Sequence, residues 1–560
     1  MTRAPGAEAR AGRFPGPSLV PALNAIQSRV GWLPRAELEA LAREARRPLY
    51  EIQGLISFYP HYRTEPPKDV ALHLCRDLSC WLVNRGASLD ETAARYADAD
   101  DVDVVEVSCL GRCDIAPAVA VNDEPAPIDR TDELVSAARA GSLDTTPVAV
   151  HHPDGPWPND PYAPGEDRYR VLRGLLTGEV SAEEVVASLK DSGLRGMGGA
   201  GFPTGQKWEL VAGQGGTRKY VICNADESEP GTFKDRQILA EQPHLVLEGL
   251  LLGMVVTGAE EGWVFIRHEY GPEEAVLHTE IERLREMGLL GADLLGSTRR
   301  LQLDIFTSPG GYILGEESAL LECMEGHRGE PRNKPPFPAV NGLWGRPTLM
   351  NSVETLADVP VIVERGAQWW KGQGVDDHDG LKFFSVSGHV ERPGVYCVPM
   401  GTTARDLLAS AGGVAGGAAL AAVQPGGASS NFLGPDQLDT ELDFASLAHA
   451  GSMLGSGAMV VMAEGTDLLS AATNVLRFFR NESCGKCVPC RVGSHKAHTL
   501  LADTIAAGGE LDDEKRARLL DLEVVLRKTS ICGLGQVALG PVVSVLGMDR
   551  GATLARPQPR

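Results

Sequence analysis

Apolar positions change their period several times along this chain, and each change marks a new element. From Leu19 to Phe58, "LVPALNAIQSRVGWLPRAELEALAREARRPLYEIQGLISF", they recur at helical spacing with breaks near Gly31 and Pro34, which predicts a set of short helices. "DVALHLC" and "VDVVEVSC" then alternate or run with Val and Leu as strands do, and each closes on a cysteine. Residues 18–135 therefore read as a helical lead and a compact α/β unit behind a Gly-, Pro- and Ala-rich tail, 1–17. Periodicity fades over 146–168, where six prolines fall, so 136–168 reads as a linker. From Tyr169 to Arg365 helical segments alternate with the strands "RKYVICN", "EGWVFIR" and "LQLDIFTS", the pattern of an α/β domain assigned to 169–375. A β-rich module follows over 376–455, where "KFFSVSGHVERPGVYCVPMGTTARDLLASAGG" holds two strands around a turn and a short helix. Helical spacing dominates 456–560. The fold class is multidomain α/β.

Composition narrows the function. With 560 residues, 43% of them hydrophobic, the chain is large enough for about three to five packed domains. Lys plus Arg total 53 against 75 Asp plus Glu, a net charge of -22 that argues against nonspecific binding to nucleic acid or to an anionic membrane. An anionic ligand must then find local positive potential. No apolar run reaches the roughly 18–20 residues needed to cross a bilayer. "MTRAPGAEARAGRFPGPS" has no apolar core behind its arginines, so the expected location is the cytoplasm. Of 11 cysteines, Cys223, Cys323 and Cys397 stand alone and read as ordinary buried residues, while the others form two spaced groups. In a reducing compartment such groups point to metal.

Cys484, Cys487 and Cys490 form C-x2-C-x2-C in "ESCGKCVPCRVG", and Cys532 in "TSICGLGQ" supplies a remote fourth thiolate. That set suits a cubane iron-sulfur cluster, with structural zinc as the rival. Cys75 and Cys80, then Cys109 and Cys113, sit at the ends of two predicted strands and suit a [2Fe-2S] centre, again with zinc as the rival. A third feature is "GLRGMGGAGFPTGQKW", which contains a literal G-x-G-x-x-G at Gly196, Gly198 and Gly201. The dinucleotide fingerprint must follow a strand. Here the preceding "SAEEVVASLKDSGL" is a helix whose Ser181 and Glu184 make a capping box, so the loop is either another kind of phosphate cradle or a tight helix-to-helix turn. "CNADESEPGTFKDR" sets Asn224, Asp226, Glu227, Ser228 and Glu229 behind an apolar strand, where α/β sheets present ligand groups. "GGYILGEESALLECMEGHRGEPRNKPPFP" places Glu316 and Glu317 in the first turn of a helix with Arg332 and Lys334 downstream; the acidic pair either orients a cofactor or caps the helix.

"RGMGGAGFPTGQKW", "CNADESEPGTFKDR", "GGYILGEESALL", "EPRNKPPFP" and "SVETLADVP" together resemble the NADH-binding flavoprotein subunit of respiratory complex I and its soluble relatives, in unbroken order from about 170 to 545. The resemblance implies a non-Rossmann fold that holds FMN and NAD(H) together. It implies that Gly196, Gly198, Gly199, Gly201 and Gly205 with Lys207 cradle the FMN phosphate, with Asn351 and Thr355 on the same side. Asn224, Asp226 and Tyr312 would line the flavin, with Ser228 and Gly315 among the cofactor contacts. Glu227, Glu316 and Glu317 would lie near the nicotinamide and ribose, Glu227 and Glu317 positioning the nicotinamide without a covalent role. Phe202 and Lys334 would meet the adenine end. Met197 stands where relatives commonly carry Arg, and Ser352 where many carry Asn; both departures touch the expected flavin pocket. The resemblance also implies a [4Fe-4S] cluster on Cys484, Cys487, Cys490 and Cys532 in a helical bundle, and a small β-grasp (SLBB-like) module over 382–414.

Residues 19–123 resemble the thioredoxin-like [2Fe-2S] subunit of the same complex, which assigns Cys75, Cys80, Cys109 and Cys113 to [2Fe-2S]. Fusion of the two resembles the diaphorase subunits of soluble NAD-linked hydrogenases and formate dehydrogenases. The implied function is an NADH:acceptor oxidoreductase subunit in a hetero-oligomer, serving a hydrogenase- or formate-dehydrogenase-type catalytic subunit and a further iron-sulfur subunit. Other readings are a component of an electron-bifurcating complex, the NADH-input module of a complex I-like enzyme, or a regulatory subunit with zinc in the cysteine sites.

Overall fold

A computed structural model describes residues 18–143, 157–162, 167–216, 218–296, 298–508 and 511–548. The predicted tail, 1–17, lies outside the described residues, as do 144–156 and 163–166 of the predicted linker.

The helical lead forms as Val20–Val30, Arg35–Glu44 and Leu49–Ile56, interrupted at Gly31, whose φ of 86° ends the first helix, and at Pro34. Behind it come strands β1 (Val70–Cys75), β2 (Val102–Val107), β3 (Ala118–Val121) and β4 (Glu124–Pro127), ordered β2-β1-β3-β4. β1 runs parallel to β2 and antiparallel to β3. Helices Ala87–Tyr96 and Thr131–Arg139 cover this sheet through Leu89, Tyr96, Leu134 and Val135. With the sheet already covered, the lead packs elsewhere: Leu23, Ile52 and Leu55 share a core with Leu320, Leu321 and Met324. Asn24 Nδ2 donates to the Thr307 carbonyl at 3.0 Å, and the Tyr59 hydroxyl to that of His327 at 2.6 Å. The lead thus packs with the central domain as well as preceding the sheet in sequence.

Two boundaries move. Helix Thr131–Arg139 runs past 135. Residues 157–162, inside the predicted linker, are docked on the central domain: Asn159 is fully buried, donates to Asp358 at 3.2 Å and accepts from Gln242 at 2.9 Å, and the Tyr162 hydroxyl bonds to Glu248 at 2.7 Å. Prolines remove periodicity without removing contact.

The central sheet contains β5 (Tyr220–Ala225), β6 (Glu261–Arg267), β7 (Gly291–Ala292), β8 (Arg300–Ser308) and β9 (Thr348–Ser352) in the order β7-β8-β6-β5-β9. β8, β6, β5 and β9 are mutually parallel, and β7 is an antiparallel edge. Along β5, Val221, Cys223 and Ala225 enter one hydrophobic core while Tyr220 and Ile222 enter another. A parallel sheet buried on both faces explains why its strands read as continuous apolar runs. Helix Pro243–Thr257 is buried along its whole length and crosses helix Val353–Arg365.

The third sheet contains β10 (Leu381–Gly388), β11 (Gly394–Pro399), β12 (Leu420–Gln424) and β13 (Ala458–Ala463), ordered β11-β10-β13-β12. β13 is an inner strand, so the expected boundary at 455 falls too early. "AMVVMA" has no polar alternation because all but its last residue are buried. Helices Leu468–Asn481, Ser494–Ala506, Asp513–Thr529, Gly533–Val537 and Gly540–Met548 follow among the described residues, with a π-helical turn at Pro489–Gly493. Among the described residues no single helix is long and apolar enough to cross a membrane.

Where Pro243–Thr257 and Val353–Arg365 cross, a β-carbon on Gly249 would run into the Leu356 carbonyl, whereas one on Gly271 would meet nothing within 4 Å. Gly249→Ala is expected to destabilise the protein by about 1–3 kcal/mol. Gly271→Ala should change it by no more than about 0.5 kcal/mol. Thermal melts of the two variants check this.

Candidate active site and metal centres

The carboxyl ends of parallel strands are where such sheets present ligand groups, and three loops converge there. The first is the glycine loop. The helix before it, Ala182–Asp191, carries the capping box of Ser181 and Glu184, so no strand precedes the glycines. The loop closes on itself: Gly196 N–H donates to the Phe202 carbonyl at 2.8 Å, and Gly201 N–H to that of Gly196 at 3.2 Å. Gly199 and Gly201 take φ of 118° and 62°, which side chains resist. Met197 N–H donates to Thr355 Oγ1 at 2.9 Å, and Thr355 Oγ1 lies 2.8 Å from Ser352 Oγ. A β-carbon on Gly198 would lie 3.0 Å from Ser352 Cβ, a tight contact that would make the serine shift.

Charge in this loop is sparse. The Met197 side chain is 2% exposed and belongs to the core. Arg195 is engaged by the Gly201 carbonyl at 2.7 Å and the Phe444 ring at 4.2 Å. Lys207 remains, with Nζ 3.1 Å from the Met350 carbonyl and burial lowering its pKa. Two residues expected at the cofactor also have structural neighbours. A β-carbon on Gly205 would lie 2.6 Å from the Lys190 nitrogen, so Gly205 lets two helices pack closely. Asn351 Oδ1 accepts from Trp208 Nε1 at 3.1 Å.

The second loop follows β5. Asn224 Nδ2 donates to the Gly315 carbonyl at 2.9 Å and ties this loop to the third. Asp226 Oδ1 accepts from Ser228 Oγ at 3.0 Å, while Oδ2 is buried with no protein partner. Burial pushes this carboxyl up to about 7. An orphaned buried oxygen beside a glycine cradle fits a cofactor with hydrogen-bond donors, as a flavin ring has.

The Glu227 carboxylate accepts from the N–H groups of Asp235 and Arg236 at 2.8 and 3.1 Å, which caps helix Lys234–Glu241, and from the Tyr270 hydroxyl at 2.9 Å. Those three bonds tie the Glu227 carboxylate to that helix N-terminus and to Tyr270. Glu229, which the resemblance left without a role, accepts from Ser429 N–H at 2.7 Å, and Tyr312 lies 3.3 Å from Ser429 Oγ. Glu229 and Tyr312 therefore meet over Ser429. Only the tertiary position of Ser429 distinguishes Glu229 from Glu227.

In the third loop Glu316 Oε2 caps helix Glu317–Met324 through Ser318 and Ala319 N–H at 3.0 and 2.9 Å. Lys334 Nζ bridges Glu316 and Glu317 at 2.7 and 2.6 Å. Phe202 is 43% exposed, an aromatic face open to a planar ligand.

All eight clustered cysteines are free thiols in two compact groups. Cys75 ends β1, Cys80 lies on helix Leu78–Leu82, and Cys109 Sγ is 3.4 Å from Cys113 Sγ. The neighbouring Cys109 and Cys80 thiols, together with burial, push the Cys75 thiol well above its usual range. Ala118 N–H points at Cys80 Sγ at 3.3 Å and Gly111 N–H at Cys109 Sγ at 3.4 Å, the donors that stabilise cluster sulfur. Cys484, Cys487, Cys490 and Cys532 line one cavity with Ile313, Pro331 and Leu534. Burial pushes Cys490 up to about 11 and Cys532 up to about 12, so loading a metal must displace their protons.

Lys207→Gln is expected to weaken retention of FMN by about tenfold or more, because a charge-assisted bond is lost. Fluorescence of flavin released on dilution measures it. Asp226 binds its proton more tightly folded, at about 7, than in the unfolded chain, where a carboxyl titrates near 4. Stability therefore falls as pH rises from about 4 to 7 and stays reduced above that window. Asp226→Asn should raise the melting temperature of the cofactor-free protein at pH 8, with the gain vanishing toward pH 4.

Comparison with known proteins fits this geometry. Residues 189–361 match the Nuo51 FMN-binding domain, 13–137 the thioredoxin-like [2Fe-2S] ferredoxin, 470–550 the NADH-ubiquinone oxidoreductase-F iron-sulfur binding region, and 383–431 the SLBB domain. The cysteine sites are thereby assigned to iron-sulfur clusters rather than zinc. The second F-type subunit of NADH-quinone oxidoreductase in Rhizobium meliloti is 45% identical over 66% of this chain and 87% of its own. The HndC subunit of the NADP-reducing hydrogenase of Solidesulfovibrio fructosivorans is 42% identical over 68% of this chain and 78% of its own. A crystal structure of NAD+-reducing [NiFe]-hydrogenase in the H2-reduced state superimposes with a TM-score of 0.85 and 31% identity, covering 98% of this chain and 95% of that one. The chain belongs to the family of the F-type subunits of NADH-quinone oxidoreductase and their hydrogenase counterparts, with a thioredoxin-like [2Fe-2S] ferredoxin module preceding the FMN-binding domain.

Proposed function

We propose that this chain is the NADH-input (diaphorase) subunit of a hetero-oligomeric oxidoreductase. One observation carries the reading: the buried Arg267 guanidinium donates to the Glu227 carbonyl at 2.5 Å and to the Cys109 carbonyl at 2.7 Å, joining the loop after β5 to the loop that carries Cys109. Bound FMN would exchange electron pairs with nicotinamide as hydride and pass single electrons to iron-sulfur clusters. The chain's own residues position and shield. Gly198 and Gly199 offer backbone N–H groups to the flavin phosphate from the loop that Gly196 and Gly201 close, and Lys207 supplies charge. Asn224, Asp226 and Tyr312 hold the ring, with Ser228 fixing the Asp226 carboxyl. Glu229 and Glu317 orient the nicotinamide and ribose, while Phe202 and Lys334 receive the adenine end.

The partner we favour is a hydrogenase-type catalytic subunit, because the hydrogenase chain matches this one almost end to end, N-terminal module included. A formate-dehydrogenase-type partner is the competing reading. The cytoplasm is the proposed location, on the strength of the free cysteines, which persist in a reducing compartment.

The test is reduction of the chain, purified anaerobically, by NADH with an artificial dye as acceptor. Bleaching of flavin and iron-sulfur absorbance with turnover is expected. Protein that holds its cofactors yet is not bleached refutes nicotinamide as donor.

A further inference from the structure

A polar seam runs between the two cysteine groups, and none of the roles above uses it. Its centre is Glu482, which follows helix Leu468–Asn481 and stands two residues before Cys484. One carboxylate oxygen accepts from Ser108 Oγ, and the other accepts from Tyr312 N–H at 2.8 Å. Ser108 adjoins Cys109, a ligand of the first cluster. Tyr312 belongs to the flavin side. Glu482 itself lies in the loop of the second cluster. These two bonds span 374 and 170 residues of chain, so no local constraint sets them.

The same helix adds supports. Asn474 Nδ2 and Arg477 donate to the Arg76 carbonyl, between Cys75 and Cys80, at 3.0 and 2.5 Å. The Phe478 and Phe479 rings lie 4.9 and 6.2 Å from the Tyr312 ring. The helix therefore touches the loop of one cluster and the flavin-side turn, and its C-terminus leads into the loop of the other.

We propose that Glu482 is a positioning residue for all three redox groups, holding the Cys109 loop and the Tyr312 turn in register with the Cys484 loop. The proposal rests on the cofactor reading above. A carboxylate accepts from two donors at once. Alanine there leaves the Tyr312 N–H without its acceptor and frees the Cys109 loop from its partner. Glutamine preserves both bonds, because its carbonyl takes the Tyr312 N–H while its NH2 donates to the Ser108 hydroxyl, which switches from donor to acceptor. Cluster potentials respond to hydrogen bonding and to the surrounding shell, so misplacement reads out spectroscopically even where iron is retained.

The experiment compares the intact wild-type chain, Glu482→Ala, Glu482→Gln and Ser108→Ala, each purified anaerobically and analysed for iron, sulfide and FMN. Redox titration followed by electron paramagnetic resonance, and stopped-flow reduction by NADH, supply the readouts. Glu482→Ala is expected to retain iron, to shift the midpoint potentials and signals of both clusters, and to slow electron passage from flavin to cluster several-fold. Glu482→Gln should restore both, and Ser108→Ala should move the [2Fe-2S] signal alone. Unmoved signals and rates in Glu482→Ala overturn the positioning role while leaving the function reading intact. If Glu482→Ala does not fold, an unmoved [2Fe-2S] signal in Ser108→Ala overturns it instead. A wild-type chain purified without iron overturns the function reading and this proposal together.

Discussion

Buried guanidinium groups bonded to backbone carbonyls are what the joined modules depend on. Arg236 and Arg267 are 1% and 2% exposed, yet each donates into the loop that carries Cys109 and Cys113. Asp114 and Glu269 balance their charge at 3.0 and 2.9 Å. A cation so deeply buried is tolerated only when paired and fully bonded, and removing one partner of such a pair costs about 3–5 kcal/mol. The Cys109 loop therefore cannot move without β6, from which Arg267 projects, or without helix Lys234–Glu241, which carries Arg236.

This coupling gives the cap on that helix a second meaning. Glu227 closes the helix N-terminus, and Tyr270, which bonds to Glu227, also packs on Gly111, where a β-carbon would come within 2.6 Å of the Tyr270 hydroxyl. The stretch from Asn224 to Glu229 is thus fixed from below by the [2Fe-2S] module and from the side by Ser429 of the SLBB module. Acids held near pH 7 by burial, Asp226 and Glu227, are affordable because the surrounding modules over-determine their positions.

Much of this was legible in the residues. Ser181 and Glu184 announced a helix before the glycine loop and thereby ruled out a dinucleotide fingerprint, since capping is a local interaction between residues three apart. Cysteine spacing announced two ligand groups, although spacing alone left zinc and iron-sulfur open. The strands of the central sheet were plain because both of its faces are buried. The misplaced boundaries have a common cause: β13 and the strap at 157–162 are defined by what they pack against, and periodicity carries no record of that.

By itself, then, the sequence determined the elements and the sets of thiolates, because each follows from local sterics or short-range spacing. Only the tertiary structure decided which partner each acid of this loop meets. Glu227 and Glu229 are chemically identical and two residues apart. One meets a helix N-terminus and Tyr270, and the other meets a serine 200 residues away. The structure likewise decided that Gly205 packs a helix and that Glu482 joins three modules, since such contacts arise from long-range packing, where hydrogen-bond geometry selects partners that spacing along the chain does not specify.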